Sequence, residues 1–150
     1  MSARPFYLLL VDDEVADAEL FSELFREMSP EVEIHHVCNG QEALDYLEAG
    51  FAGDASTPRP HLIVLDINMP VMNGHRFLQI AKAHDHFRSI PVLVLSTSVR
   101  ADDILQSYQN YASGYSVKPS SYADLQKLVE LVSRYWQGAV RFPTIEQVAR

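Results

Sequence analysis

His61-Leu62-Ile63-Val64-Leu65-Asp66 carries an unbroken apolar run, Leu62–Leu65, that ends on a carboxylate. A wholly apolar run this short fits a strand covered on both faces, the way strands of a parallel sheet are buried. The same figure recurs along the chain. Phe6–Val11 runs into Asp12 and Asp13, Pro91–Leu95 runs into Ser96, and Gly114–Val117 runs into Lys118-Pro119. Val32–Val37 reads as one further strand.

Between these runs the apolar residues recur at helical spacing. Ala18, Phe21, Leu24, Phe25 and Met28 mark a helix stopped by Ser29-Pro30. Ala43, Leu44 and Leu47 mark a helix over Gln41–Ala49, with Gly50 as its expected C-terminal cap. Phe77, Leu78 and Ile80 mark one after Asn73-Gly74, and Ile104, Leu105, Tyr108 and Ala112 form one side of a helix over Ala101–Ala112. A last helix from Ser121 carries Leu125, Leu128, Val129, Val132 and Trp136. Phe51–Pro60, with Gly53, Pro58 and Pro60, is the one loop of some length. Strands alternating with helices in this way predict an α/β fold: a doubly wound (βα)5 parallel sheet with helices on both faces. Right-handed crossovers favour the strand order 2-1-3-4-5, the flavodoxin-like arrangement.

With 150 residues the chain is long enough for one full core and short for two. Residues 1–150 are expected to form one domain, with 137–150 as a C-terminal extension. The formal net charge of −8 repels phosphate backbones and anionic lipids, so neither nucleic acid nor membrane is an expected partner. Cys38 is the one cysteine, which rules out an intrachain disulfide and is read as a small buried side chain. Met1–Pro5 does not resemble a secretory leader and no run is long enough to span a bilayer, so the expected compartment is the cytoplasm.

The polar residues that interrupt the apolar pattern fall at corresponding places. Asp12 and Asp13 follow the first strand, Asp66 ends the third, Ser96 the fourth and Lys118 the fifth. In an open α/β sheet, ligands bind beyond the carboxyl ends of the strands, near the point where strand order reverses. Each residue alone reads as a helix cap, a turn residue or a solvated charge; it is their joint placement that predicts a site. Three carboxylates gathered there repel one another unless a cation lies between them. An oxygen-only cluster open to water suits Mg²⁺, which neutralises charge on a transferring phosphoryl group, while a carboxylate can attack phosphorus. Lys118 and Ser96 are placed to hold phosphoryl oxygens. By contrast His84 and His86 lack further ligands at zinc spacing and are expected as exposed loop residues.

Five motifs in order, Val11-Asp12-Asp13, Leu65-Asp66-Ile67-Asn68-Met69-Pro70, Asn73-Gly74, Leu95-Ser96-Thr97 and Tyr115-Ser116-Val117-Lys118-Pro119, resemble the receiver domain of two-component response regulators over residues 6 to about 136. The resemblance implies that Asp66 is the phosphoacceptor. It implies that Asp13, Asp66 and the backbone carbonyl of Asn68 hold Mg²⁺, with Asp12 acting through a metal-bound water. Ser96 and Tyr115 match a hydroxyl and an aromatic that move together on phosphorylation, remodelling the surface around Ala101–Lys118. Asn68 and Ser98 match positions that tune phosphoryl lifetime, and Lys118-Pro119 matches a cis peptide. Asn73 stands where many receivers have Asp, a change that a turn tolerates. Tyr135-Trp136, Val140-Arg141-Phe142-Pro143, Asp17-Ala18-Glu19-Leu20 and Ser96-Thr97-Ser98 resemble the single-domain regulators paired with phytochrome-like histidine kinases. The implied partners are a sensor histidine kinase and a second copy of the chain, the homodimer forming through the last two helices, strand five and the C-terminal tail. A second reading, an Mg²⁺-dependent phosphohydrolase with an aspartyl-phosphate intermediate, usually has two Asp two residues apart after the first strand and a cap over the pocket. This chain has its acceptor on strand three and no insertion of cap size.

Overall fold

The structure, a computed structural model, describes residues 4–148, with only the backbone of residues 145 and 146. The first and last residues of the expected domain and extension lie outside it. Five parallel strands, β1 Phe6–Val11, β2 Val32–Val37, β3 Leu62–Leu65, β4 Val92–Ser96 and β5 Gly114–Val117, form one sheet in the order β2-β1-β3-β4-β5. The register runs from Phe6 opposite Val32 to Val11 opposite Val37, and sets Val11 opposite Leu65. It sets Leu65 opposite Val94 and Ser96 opposite Val117. The carboxyl ends of the strands therefore stand level, and the polar residue after each reaches the same edge.

Side chains alternate across a strand, so each apolar run feeds two cores. Leu9, Val11, Ile63, Leu65, Val92 and Val94 pack on one face beneath α2 Gly40–Phe51 and α3 Gly74–Ala83, with Phe77 and Leu78. Phe6, Leu8, Leu10, Leu62, Val64 and Leu95 pack on the other beneath α1 Val15–Met28 and α5 Tyr122–Ser133, with Phe21, Phe25 and Val129. Each large apolar side chain fully buried this way contributes about 1.5–3 kcal/mol. A π-helical segment, Arg134–Ala139, extends α5, and the chain then places Phe142 against Phe6, His61 and Trp136 before a short α6, Ile145–Val148.

Several expectations are corrected. Gly50 lies inside α2 rather than capping it. A Cβ there would fall 2.2 Å from the carbonyl oxygen of Thr57, so the glycine admits the returning loop, and Gly53 takes the positive φ of 103°. α4 spans Ala101–Gln109, shorter than the expected Ala101–Ala112, and two residues of its apolar stripe face solvent: Leu105 is 56% and Tyr108 51% exposed. Periodicity finds a helical stripe without saying which way it faces, and the side turned inward here carries Ser107, which is fully buried. His84 and His86 are half-buried rather than exposed: His84 stacks on Phe87 at 3.8 Å and His86 lies 4.1 Å from Phe51. Cys38 is also only half-buried. Burial, then Glu42, Asp13 and Asp12, push its thiol up, away from the reactive thiolate.

α3 is set directly against the acidic edge. Asn73 caps it by accepting the Arg76 N–H at 2.9 Å, and the Gly74 N–H donates to the carbonyl of Ile67 at 2.9 Å. A Cβ on Gly74 would stand 2.2 Å from the carbonyl oxygen of Asp66. Gly74→Ala is thus expected to push α3 and the Asp66 backbone apart, with a loss of about 1–3 kcal/mol in urea denaturation; an unchanged midpoint would contradict the close approach.

Candidate phosphoacceptor site

Asp12, Asp13 and Asp66 each offer a carboxylate oxygen within 4.8 Å of the others. Asp12 and Asp66 are buried and Asp13 is half-buried. Asp12 also starts α1: its Oδ1 accepts the Glu14 N–H at 2.9 Å, where Glu14 supplies no side-chain cap. Asp66 Oδ1 accepts the N–H of Ile67 at 2.7 Å. The loop after Asp66 makes a tight turn at Val71, whose φ of 66° is strained for a β-branched residue, with the Met72 N–H donating to the Pro70 carbonyl at 2.7 Å.

From β5, the Lys118 ammonium reaches across the sheet. Its Nζ donates to Asp12 Oδ2 at 2.7 Å, Asp66 Oδ2 at 3.2 Å and Asp17 Oδ2 at 3.4 Å. Burial acts to lower the Lys118 pKa, but the hydrogen bonds and charges of Asp12 and Asp66 reverse this and leave it above the ordinary lysine range. On the other side of the pair, burial raises the Asp12 carboxyl above its ordinary range, against the lowering by Lys118 and the Glu14 N–H. Both directions follow from one geometry: the ammonium is over-supplied with carboxylates, whereas Asp12 gives up more water than one cation restores.

Ser96, fully buried, ends β4, and its Oγ accepts the Ser98 N–H at 3.2 Å. The half-buried Tyr115 donates its hydroxyl to the Ser98 carbonyl at 2.8 Å. Ser98 donates its own hydroxyl to Asp103 Oδ2, and Asn68 is exposed on the loop beyond Asp66. The acids and Lys118 are therefore joined by short contacts, while Ser96, Ser98 and Tyr115 form an adjoining hydrogen-bonded group. The Lys118–Pro119 bond is trans, since no described peptide bond is cis, which corrects the cis bond that the resemblance implies. Trans is the lower-energy isomer of such a bond by about 0.5–1 kcal/mol, and the Lys118 side chain reaches the acids from it.

Four residues escaped the sequence reading as parts of this edge. Asp17 lies one helical turn beyond Asp13, a spacing that could have flagged it. His36 places Nε2 2.7 Å from the Asp12 carbonyl oxygen, but nothing in the alternation of β2 marks it. His75 and Asp103, 3.0 Å apart, come from different helices and carry no local signal.

An oxygen-only donor set of three carboxylates fits a hard divalent cation such as Mg²⁺. The response regulator receiver domain family matches residues 8–130. A probable methanogenesis regulatory protein, FilR2, of Methanothrix harundinacea is 38% identical over 139 residues, covering 93% of this chain and 88% of the relative. The response regulator Rcp1 of Synechocystis is 33% identical, covering 95% and 96%. Its Mn(2+)-bound structure matches with a TM-score of 0.84 over 93% of this chain and all of the other. The phosphorylated cyanobacterial phytochrome response regulator RcpA matches at 32% identity and a TM-score of 0.85, over 93% and 99% of the two chains. Family match, sheet order and the acidic edge agree, and the chain belongs to the response regulator receiver domain family of two-component systems.

Proposed function

We propose that this chain is a phosphorylation-dependent switch that accepts a phosphoryl group on Asp66 from a sensor histidine kinase and signals through protein contacts. The observation that carries the reading is the Asp66 carboxylate, buried at the end of β3 between two further acids and the Lys118 ammonium. In the transfer, an Asp66 oxygen forms a bond to phosphorus, the bond from phosphorus to the donor imidazole nitrogen breaks, and its electron pair returns to that ring. Asp13, Asp66 and the Asn68 backbone carbonyl would hold Mg²⁺, with Asp12 acting through a water. When bound, the ion offsets the charge on the phosphoryl oxygens.

Lys118 then exchanges a carboxylate for a phosphoryl oxygen, and Ser96 donates its hydroxyl to another. Drawing Ser96 toward the phosphoryl group opens room for Tyr115, so Ser96 and Tyr115 carry the signal to the surface of α4 and β5. Asn68 and Ser98 set the lifetime of the acyl phosphate. The chain acts on no other substrate: each event is its own phosphorylation or its own dephosphorylation.

Likeness to RcpA and Rcp1 supports a phytochrome-type kinase as the donor. Among the described residues no helix is long and apolar enough to cross a membrane, and the net charge of −8 opposes nucleic acid; both agree with a cytoplasmic protein that works through other proteins. Residues 1–150 act as one receiver, with 137–150 as an extension. Leu105, Tyr108, Tyr111, Val117, Leu131 and Tyr135 are large apolar side chains left exposed on α4, β5, α5 and the segments beside them, and support a homodimer through that face and the tail.

Intact-mass measurement after acetyl phosphate and Mg²⁺ is expected to show one added phosphoryl group in the parent and none in Asp66→Asn; a gain retained by the variant would move the acceptor elsewhere. Sedimentation is expected to show a dimer that Leu131→Asp converts to monomer, and a parent that stays monomeric as concentration rises removes the dimer.

The acidic edge also has a defined pH response. A carboxyl whose folded pKa is raised lends stability that is complete below its unfolded value and lost as pH rises through the folded one. Asp12 is such a group, and removing Lys118 raises it further. Lys118→Met in metal-free buffer is therefore expected to lose about 3–5 kcal/mol near neutral pH, where the carboxylates stand unpaired. The deficit should shrink as the pH falls toward the ordinary carboxyl value of 3.8 and Asp12 takes its proton. Urea denaturation at the two pH values checks this, and equal deficits would contradict it.

A further inference from the structure

Asp12 is fixed from several sides. Its N–H donates to the Val37 carbonyl at 3.0 Å, its Oδ1 accepts the Glu14 N–H at 2.9 Å, and its Oδ2 accepts from Lys118 Nζ at 2.7 Å. The backbone carbonyl oxygen lies 2.7 Å from Nε2 of His36. A carbonyl oxygen accepts and never donates, so the ring carries a proton on Nε2 and gives it to this bond. The register explains how a histidine comes to stand there. Leu10 pairs with His36 and Val11 with Val37, so the carboxyl end of β2 lies beside the residue that follows β1. Val32 and Ile34 pack into the core beneath α1 and α5, and the alternation of β2 puts His36 in the same row. At the sheet edge that row runs out of core, and the ring meets the main chain of Asp12 instead.

Asp13 is held differently. Lys118 contacts Asp12, Asp17 and Asp66, and the Asp13 side chain makes no hydrogen bond or ion pair among the described residues. Its carboxylate nevertheless offers an oxygen within 4.8 Å of those of Asp12 and Asp66. Like charges this close repel, so the place of Asp13 depends on the main chain that carries it. The carbonyl that His36 grips belongs to the peptide joining Asp12 to Asp13. We propose that His36 is a positioning residue for the cation site: its Nε2–H anchors the Asp12–Asp13 peptide and so keeps the Asp13 carboxylate among the other acids. The inference rests on the reading of these acids as the place where Mg²⁺ is held. Releasing the peptide gives Asp13 slack, and repulsion sets the direction in which it is taken up, away from Asp12 and Asp66. A slackened site must be gathered again before it can hold a cation, and its affinity falls.

Mn²⁺ serves as a paramagnetic probe in place of Mg²⁺, and the EPR signal of the free ion reports binding to the full chain with no phosphoryl transfer involved. Groups that orient metal ligands from outside the coordination sphere are worth about 10–100-fold in affinity. His36 acts through one peptide, so His36→Leu is expected to bind Mn²⁺ roughly tenfold more weakly than the parent, the low end of that range. His36→Gln, whose amide N–H can stand where Nε2–H stands, should return binding toward the parent. Both variants lose the imidazole ring, so a role confined to ring packing would weaken them alike; urea denaturation checks that both are folded. Binding by His36→Leu equal to that of the parent overturns the proposal, and so does His36→Gln binding as weakly as His36→Leu. A parent that binds no Mn²⁺ strikes instead at the acids as a cation site, and this inference falls with it.

Discussion

One ammonium group holds the carboxyl edge of the sheet together. Lys118 Nζ touches carboxylates brought by β1, β3 and α1, and the Lys118 backbone N–H donates to the Ser96 carbonyl at 2.8 Å, locking β5 to the end of β4. Without a cation among them, acids this close repel and carry the cost of lost water besides. The apolar cores bring the strands into register, but it is this charge that lets three aspartates share a pocket. The same charge is the one proposed to meet a phosphoryl oxygen, so folding and the proposed chemistry draw on a single side chain.

The two cores and the α4 region differ in kind. Four helices lie on the sheet through apolar side chains, and the edge they build is rigid. α4 buries a serine and is anchored by polar contacts. Hydrogen bonds can be exchanged for others of similar strength where a packed apolar contact has no substitute, so motion concentrates where the anchors are polar. An aspartate on a fixed strand next to a helix held by exchangeable bonds is what a switch of this class requires.

Most of this was legible in the chain, because burial on both faces forces unbroken apolar runs and leaves polar residues at strand ends. Phe6–Val11, Leu62–Leu65 and the acids that follow them could hardly be read otherwise. What stayed hidden has a common cause. The direction of the α4 stripe, the interior place of Gly50 and the pairing of His75 with Asp103 all depend on contacts between segments distant in sequence. Leu105 and Tyr108 show the same limit: their spacing is helical, but nothing local says that solvent, or a partner, lies on their side.

Phe142 lies 5.9 Å from Phe6 and 5.2 Å from His61, at the amino ends of β1 and β3. Both ends of the described chain thus leave the molecule from the edge opposite the acids. A six-residue strand spans about 20 Å, so a fluorophore attached beside Phe6 or Phe142 stands about that far from Asp66. The amino-end edge of the sheet therefore offers places for a probe that leave the acidic pocket unobstructed.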